Sequence, residues 1–303
     1  MTALQPWQGV VVAIPTPFRD DLSIDFDRLQ EHVRWLADEG CHGVTPCGSL
    51  GEYQNLSDDE RADVVRATVE AAPAGFAVVP GVGGYGSRQS RRWAEHAAKV
   101  GAQAVLALPP NTYAARDSEV VAHFREVASA GLPVVAYNNP FDTKVDLTPE
   151  LLATIAETDG VVAVKEFSGD VRRLHRILDL SPHLDVLAGA DDVLLELVVC
   201  GAKGWIAGFP NALPRLSVQL YELARAQDLA AALPLYAALH PIFGWDSRPV
   251  FVQAIKLGME LAGRYGGPCR PPRGPLSPET EAQVRKDMAR ALATVVVAGG
   301  SDA

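Results

Sequence analysis

Short apolar runs alternate with longer amphipathic stretches along most of the 303-residue chain. Val10 to Ile14, Gly43 to Cys47, Phe76 to Pro80 and Ala102 to Leu108 read as buried strands. So do Leu132 to Tyr137, Val161 to Lys165, Leu184 to Ala188 and Ala202 to Ala207. Helical spacing fills the intervals: Phe26 to Ala37, Asp58 to Ala71, Ser87 to Val100, Ser118 to Ala130, Thr148 to Glu157, Asp170 to Leu180 and Asp191 to Cys200. In the first of these Phe26, Leu29, His32, Val33 and Leu36 share a face. Ser57 and Glu60 have capping-box spacing, and Pro149 sits at the favoured first position of its helix.

A repeating strand–helix pattern predicts a parallel sheet. About eight such units at this length suit an α/β protein of the closed (β/α)8 TIM-barrel type. An open doubly wound sheet is the rival. It would normally carry a dinucleotide or P-loop fingerprint, and Gly81-Val82-Gly83-Gly84-Tyr85-Gly86 lacks GxGxxG spacing. From Pro214 the pattern becomes helix after helix: Arg215 to Ala226, Leu229 to Ile242, Val250 to Ala262 and Pro278 to Val297. The expected organisation is a barrel over 1–213 and a helical C-terminal extension over 214–303, packed on the barrel. Gly266 to Pro275 is the linker inside that extension, and Gly299 to Ala303 is expected to fray.

The net charge of -10 argues against a nucleic-acid or anionic-membrane partner. Cys41, Cys47, Cys200 and Cys269 show no metal-site spacing and fit reduced thiols in a cytoplasmic protein. No basic stretch followed by an apolar core opens the chain, and no apolar run approaches the ~20 residues of a membrane span.

The chemistry centres on Val161-Val162-Ala163-Val164-Lys165-Glu166, where a lysine closes an apolar strand. A poorly solvated lysine favours its neutral amine, which can attack a carbonyl and form a Schiff base. The structural alternative is a lysine that reaches out at the strand end or pairs with Glu166. In a barrel the site lies at the C-terminal ends of the strands. Two other strand ends fit the same mechanism. Gly48-Ser49-Leu50-Gly51 offers backbone N–H groups with little steric cover, suited to a carboxylate, or simply makes a tight turn. Tyr137 supplies a phenol for proton transfer, or packs as an ordinary aromatic. Asp191 and Asp192 read most simply as helix caps.

Six segments together resemble the dihydrodipicolinate synthase / N-acetylneuraminate lyase family of class I aldolases. They are Pro15-Thr16-Pro17-Phe18, Gly48-Ser49-Leu50-Gly51-Glu52, Tyr137-Asn138-Asn139-Pro140, Val164-Lys165-Glu166, Gly189-Ala190-Asp191-Asp192 and Gly201-Ala202-Lys203-Gly204-Trp205-Ile206. The resemblance runs over about residues 8 to 295. It implies a Schiff base between Lys165 and a 2-keto acid such as pyruvate, with Tyr137 relaying protons. It places Gly48, Ser49, Leu50, Gly189 and Ile206 around the substrate. It implies a homo-oligomer, tetramer or dimer, and no metal or organic cofactor.

Three departures bear on the substrate. Leu50 stands where the family motif has a second threonine, so one hydroxyl contact to the carboxylate is lost. Asn111 and Thr112 align with the tyrosine pair of the synthases, and Tyr113 falls one residue later. Asp142 occupies the position of the arginine that grips the aldehyde's carboxylate in the synthases. The expectation is a Schiff-base lyase of the aldolase or dehydratase type, acting on a 2-keto acid or a deoxy sugar acid rather than in lysine biosynthesis. Tyr-Asn-Asn-Pro also resembles a deaminase of hydroxylated pyrroline carboxylates, which uses the same lysine chemistry. Leu50 and the missing tyrosine pair motivate a different class, a non-catalytic barrel that binds a small acid. A pyridoxal-phosphate barrel would need a phosphate cup that the sequence does not show.

Overall fold

The computed structural model describes residues 4–298, with side chains through residue 294 of the last helix. The expectation of a frayed Gly299–Ala303 lies outside the described residues. Eight strands are present: β1 (Gly9–Ala13), β2 (Gly43–Thr45), β3 (Ala77–Val78), β4 (Val105–Ala107), β5 (Val134–Asn138), β6 (Val161–Glu166), β7 (Asp185–Ala188) and β8 (Gly204–Ala207). All pair in parallel, in the order β3-β2-β1-β8-β7-β6-β5-β4. The amide of Leu106 donates to the Pro80 carbonyl (2.9 Å), and the amide of Val82 donates to the Leu106 carbonyl (2.8 Å). These bonds join the β3 and β4 edges and close the sheet into a (β/α)8 barrel.

The strands are shorter than their apolar runs. The run Phe76 to Pro80 yields only Ala77–Val78 as regular strand. Pro80 has no N–H, so the ladder is interrupted there while its carbonyl still accepts. Helices α1 (Phe26–Asp38), α2 (Asp58–Ala71), α3 (Ser87–Val100), α4 (Asp117–Ala128), α5 (Pro140–Thr143), α6 (Pro149–Ala156), α7 (Arg172–Leu180) and α8 (Leu194–Val199) surround the barrel. The capping box at the start of α2 is formed in full. The stretch Asp191 to Cys200 divides into a 3-10 turn over Asp191–Val193 and the shorter α8. Asp191 is the reason: its side chain turns inward to the barrel and does not cap α8. The short α5 was not evident from apolar periodicity; Asn139 caps it by accepting from the Asp142 amide at 3.2 Å.

Helices α9 (Pro214–Arg225), α10 (Leu229–Phe243), α11 (Phe251–Leu261) and α12 (Pro278–Ala298) follow the last strand. α10 packs against α9 and α12, and α11 against α12. An aromatic cluster docks this group on the barrel. Trp205 of β8 meets Phe243 edge-on at 5.5 Å, and Phe209 lies 6.3 Å from Phe243. All three are fully buried. Anchoring Phe243 delivers the next residues, Trp245 to Arg248, to the C-terminal mouth of the barrel.

A second connection is ionic. Lys256 of α11 is buried and donates to the Thr16 carbonyl (3.1 Å), Glu52 (3.2 Å) and the Pro268 carbonyl (2.7 Å). The Arg270 amide donates to Glu52 at 3.1 Å, and its guanidinium binds Glu60 and the Asn55 and Leu22 carbonyls. The connection read as a linker is thus a strap bonded to the barrel. Among the described residues no helix is long and apolar enough to cross a membrane.

Candidate active site

Lys165 and Tyr137 are register partners on adjacent strands β6 and β5. Alternation along β6 sends Lys165 inward and Glu166 outward. Glu166 is buried among other partners: it accepts from Asn138 Nδ2 (3.0 Å) and the Ser168 amide (2.6 Å), and faces Arg173 (3.5 Å). The alternative pairing of Lys165 with Glu166 is therefore excluded. Lys165 is also not at the surface; it is 6% exposed. Its Nζ makes no ion pair or hydrogen bond among the described residues. It lies 4.4 Å from the Tyr137 ring centroid and 5.6 Å from that of Phe167. Burial lowers its pKa, against the opposing pull of Asp246 and Asp191. An amine with apolar neighbours and no counterion in contact is the state a nucleophile requires.

Tyr137 is held by Asn139. The Asn139 side-chain amide donates to Tyr137 Oη (3.3 Å) and to Asp142 Oδ2 (2.9 Å). Its carbonyl oxygen accepts from the Asp142 amide, which fixes the orientation of the group. Tyr137 Oη is thus an acceptor toward Asn139, and its own proton is free to point into the cavity. Burial, reinforced by Asp246 and Asp142, raises the phenol's pKa well above its ordinary value. At neutral pH Tyr137 is a protonated phenol.

The loop after β2 forms the third component. Cys47 and Glu52 both adopt left-handed backbone conformations, with φ of 56° and 52°. Between them the chain turns sharply, and the amides of Gly48, Ser49 and Leu50 donate to no acceptor among the described residues. Such a run of free N–H groups is an anion nest. The loop is braced from outside: Thr16 Oγ1 donates to the Gly51 carbonyl at 2.7 Å, and Glu52 enters the Lys256–Arg270 network. Gly81 packs against it so closely that a Cβ there would collide with the Cys47 carbonyl.

These groups border one cavity of about 570 Å³ at the C-terminal mouth. Gly48, Ser49, Leu50, Tyr137, Asp142 and Lys165 line it. Gly189, Ile206 and Thr112 do not. A Cβ on Gly189 would collide with the Glu166 carbonyl, so this glycine permits close strand-end packing behind the cavity. Ile206 is fully buried in β8, and Thr112 is exposed on the loop after β4. Tyr113 is 51% exposed and makes no hydrogen bond to the Tyr137 hydroxyl among the described residues. Asp142 neither enters the cavity floor nor turns wholly outward; it stands on the rim, bound to Asn139.

The remaining lining was not anticipated. Asp246, Ser247, Arg248, Phe251 and Arg273 come from the chain beyond β8. Arg248 stacks on Trp245 (4.0 Å) and Arg273 lies over Phe251 (5.4 Å); neither forms an ion pair among the described residues. No periodic pattern marks such residues, because they lie in connections between helices or, as Phe251 does, at the first position of one. Asp191, read as a cap, is fully buried. It accepts from the Trp205 indole (2.9 Å) and the Gly208 (3.2 Å) and Phe209 (2.8 Å) amides. Burial pushes its pKa up to about 6 against those three donors and Lys165. Among the described residues no cluster of three or more His, Cys, Asp or Glu is placed to hold a metal.

The model of the dihydrodipicolinate synthetase family matches residues 6–291. The chain belongs to that family. A 4-hydroxy-tetrahydrodipicolinate synthase of Methanothrix thermoacetophila is 34% identical over 286 residues, covering 92% of this chain and 95% of the relative. An uncharacterised DapA-like lyase of Halobacterium salinarum is 35% identical over 282 residues, 93% of each chain. Among solved structures, a prophage protein of E. coli K12 from the dihydrodipicolinic acid synthase family, in complex with pyruvate, superposes with a TM-score of 0.88. It shares 28% identity and covers 94% of this chain and 98% of its own. The dihydrodipicolinate synthase of Aquifex aeolicus gives a TM-score of 0.89 at 28% identity, over 94% and 98%. The family assignment makes this chain a lyase with a Schiff-base mechanism.

Proposed function

We propose that Lys165 condenses with the keto group of pyruvate or of a longer 2-keto acid, such as a deoxy sugar acid, and that the enzyme cleaves or dehydrates that substrate. The observation that carries the reading is the unpaired, buried Lys165 amine beside Tyr137 in the cavity edged by the Gly48–Leu50 nest. The nest would take the substrate carboxylate. The amine would add to the keto carbon, and loss of water would leave a protonated imine. That imine draws electrons from the neighbouring carbon, so a proton or a carbon–carbon bond there becomes labile. Tyr137, a protonated phenol with its hydrogen directed inward, would carry protons to and from that carbon.

The same reading separates this enzyme from lysine-pathway synthases, although relatives bear that name. Its support is Leu50 in the nest, Asp142 on the rim and Asn111 with Thr112 in place of a tyrosine pair. Deamination of a hydroxylated pyrroline carboxylate would use the same lysine and the same nest. Assembly as a homo-oligomer belongs to the proposal and is tested by sedimentation velocity.

Borohydride reduction in the presence of pyruvate tests the centre of the reading. Wild type should gain the mass of reduced pyruvate on the peptide bearing Lys165, and Lys165→Ala should gain none while keeping its thermal transition. Trapping on Lys165→Ala at the wild-type extent would refute the assignment. Efficient condensation of pyruvate with aspartate semialdehyde would refute the separation from the synthases.

A further inference from the structure

Asp246 is the one cavity-lining acid that no other group explains. It lies beyond the barrel, in the turn after α10, where Phe243 and Trp245 hold the backbone: Phe243 in the aromatic cluster, Trp245 through its indole to Asp287 (2.9 Å). The residue is 9% exposed and borders the cavity that contains Lys165 and Tyr137. One oxygen sits against Gly208, where a Cβ would collide with it. It forms no ion pair and no side-chain hydrogen bond among the described residues; the Asp191 backbone N–H is the donor directed at it. Asp191, close by, is saturated by three N–H donors. Asp142 is bound to Asn139. The oxygens of Asp246 are not fully enclosed by protein, so its carboxyl opens onto the cavity where a substrate oxygen would sit.

We propose that Asp246 is a catalytic acid for Schiff-base formation, delivering the proton with which the carbinolamine oxygen leaves as water. The inference rests on the reading of Lys165 as the imine-forming amine. Nζ of Lys165 adds to the keto carbon, and its proton moves to the former carbonyl oxygen, giving a neutral carbinolamine. The carbon–oxygen bond then breaks. The oxygen departs as water with the Asp246 proton, the nitrogen lone pair forms the iminium, and Asp246 remains as a carboxylate. A neutral pair of groups thereby becomes an iminium–carboxylate pair in a site of low polarity, and the product cation is stabilised by the acid that made it. Hydrolysis of the final imine runs the same proton backwards.

Two groups compete for this task. Tyr137 is the weaker acid, since burial moves its phenol further above an ordinary value that is already high. The groups facing Asp246 are Lys165 on β6, Asp191 and Asp192 after β7, and Tyr137 on β5. Burial, with the neighbouring Asp191, moves Asp246 well above the ordinary carboxylate range, and Lys165 opposes that shift. A carboxyl with a raised pKa is a better matched donor for a departing hydroxyl than a phenol whose own high value is raised further.

The experiment is the rate of borohydride trapping with pyruvate, followed against pH for wild type and Asp246→Asn. Wild type should show two limbs: an acidic one as Lys165 loses its proton, and an alkaline one as Asp246 loses its own. Asp246→Asn keeps shape and burial but has no acid proton. It should trap about 10²–10⁴-fold more slowly, reach a similar final extent, and lack the alkaline limb. A residue that only supported the fold would lower stability or extent and leave both limbs in place. Unchanged rate and limbs in Asp246→Asn would overturn the proposal. If that variant does not fold, the wild-type profile decides alone, and the absence of an alkaline limb overturns it. Wild type that fails to trap at all would instead overturn the reading of Lys165.

Discussion

The cavity has a floor and a wall, and they are built differently. The floor consists of strand ends: Tyr137 and Lys165 are fixed by the β5–β6 register, and the Gly48–Leu50 nest by the turn after β2. The wall is carried by the chain beyond β8, through Asp246, Arg248, Phe251 and Arg273, with Asp142 and Phe141 also bordering the cavity. On the proposed reading the floor would bind whatever every substrate shares, a carboxylate beside a ketone. The wall would meet whatever differs between substrates. A strand end repeats to within a fraction of an ångström because the ladder dictates it, whereas a helix connection is free to vary. Common chemistry on the rigid part and selectivity on the variable part follow from that difference.

The largest test of the floor is Tyr137→Phe. The ring, and with it the packing against Lys165 and Phe167, is retained; only the proton is lost. Schiff-base trapping should persist, while turnover falls by about 10²–10⁴-fold. A fall of less than tenfold would assign Tyr137 to packing alone and leave the floor with one chemical group.

Lys256→Met tests whether floor and wall are coupled. It strands Glu52 in a site where neither side chain is exposed beyond 3%. Removing one partner of a buried pair costs about 3–5 kcal/mol. The thermal transition should fall accordingly, and the KM for the keto acid should rise more than kcat falls, because Glu52 closes the nest. The double variant Lys256→Met/Glu52→Gln should recover much of the stability. A nest that binds equally well in Lys256→Met would show that the strap only supports the fold.

The division also explains what could be read from the sequence. The barrel, its eight strands and the floor were legible because each strand leaves a compact apolar run and each motif sits at its end. Lys165 was visible as a charge closing such a run. Strand lengths were overestimated where proline ends a ladder without ending the apolar run, as at Pro80. The wall was not legible. Asp246 and Arg273 are 27 residues apart and belong to no repeat; they border the same cavity because Phe243 docks on Trp205 and Arg270 binds Glu60. Asp191 misled for a related reason. An aspartate before a helix reads as a cap, and only the amides of Gly208 and Phe209 show that it faces the other way.

Leu50→Thr should sharpen the floor by a smaller amount. Leu50 is 3% exposed and borders the cavity, so a threonine there brings a hydroxyl to the anion nest without crowding. A hydrogen bond to a charged group is worth about 1.5–3 kcal/mol, less whatever apolar contact leucine supplied. The expected result is a keto-acid KM about tenfold lower with kcat little changed. Weaker binding would mean that leucine is matched to an apolar part of the substrate, and that the carboxylate lies elsewhere.

The smallest effect is expected on the rim, at Asp142. Its carboxylate faces the cavity but is bound to Asn139, which in turn holds Tyr137. Any change there therefore has two consequences, one on the field at the mouth and one on the phenol. Asp142→Asn separates them: it removes the charge and keeps a side chain able to bond Asn139. It should leave turnover of pyruvate-sized substrates within about threefold, as exposed charges contribute little. Asp142→Arg adds a cation to a mouth where Arg248 and Arg273 already stand, each against an aromatic ring and without an ion-pair partner among the described residues. Competitive inhibition by 2-keto dicarboxylates should strengthen several-fold, and more at low salt, because the rim is open to solvent. Identical inhibition in wild type, Asp142→Asn and Asp142→Arg would show that the rim charge does not reach the substrate. Selectivity would then belong to Arg248 and Arg273 on the wall.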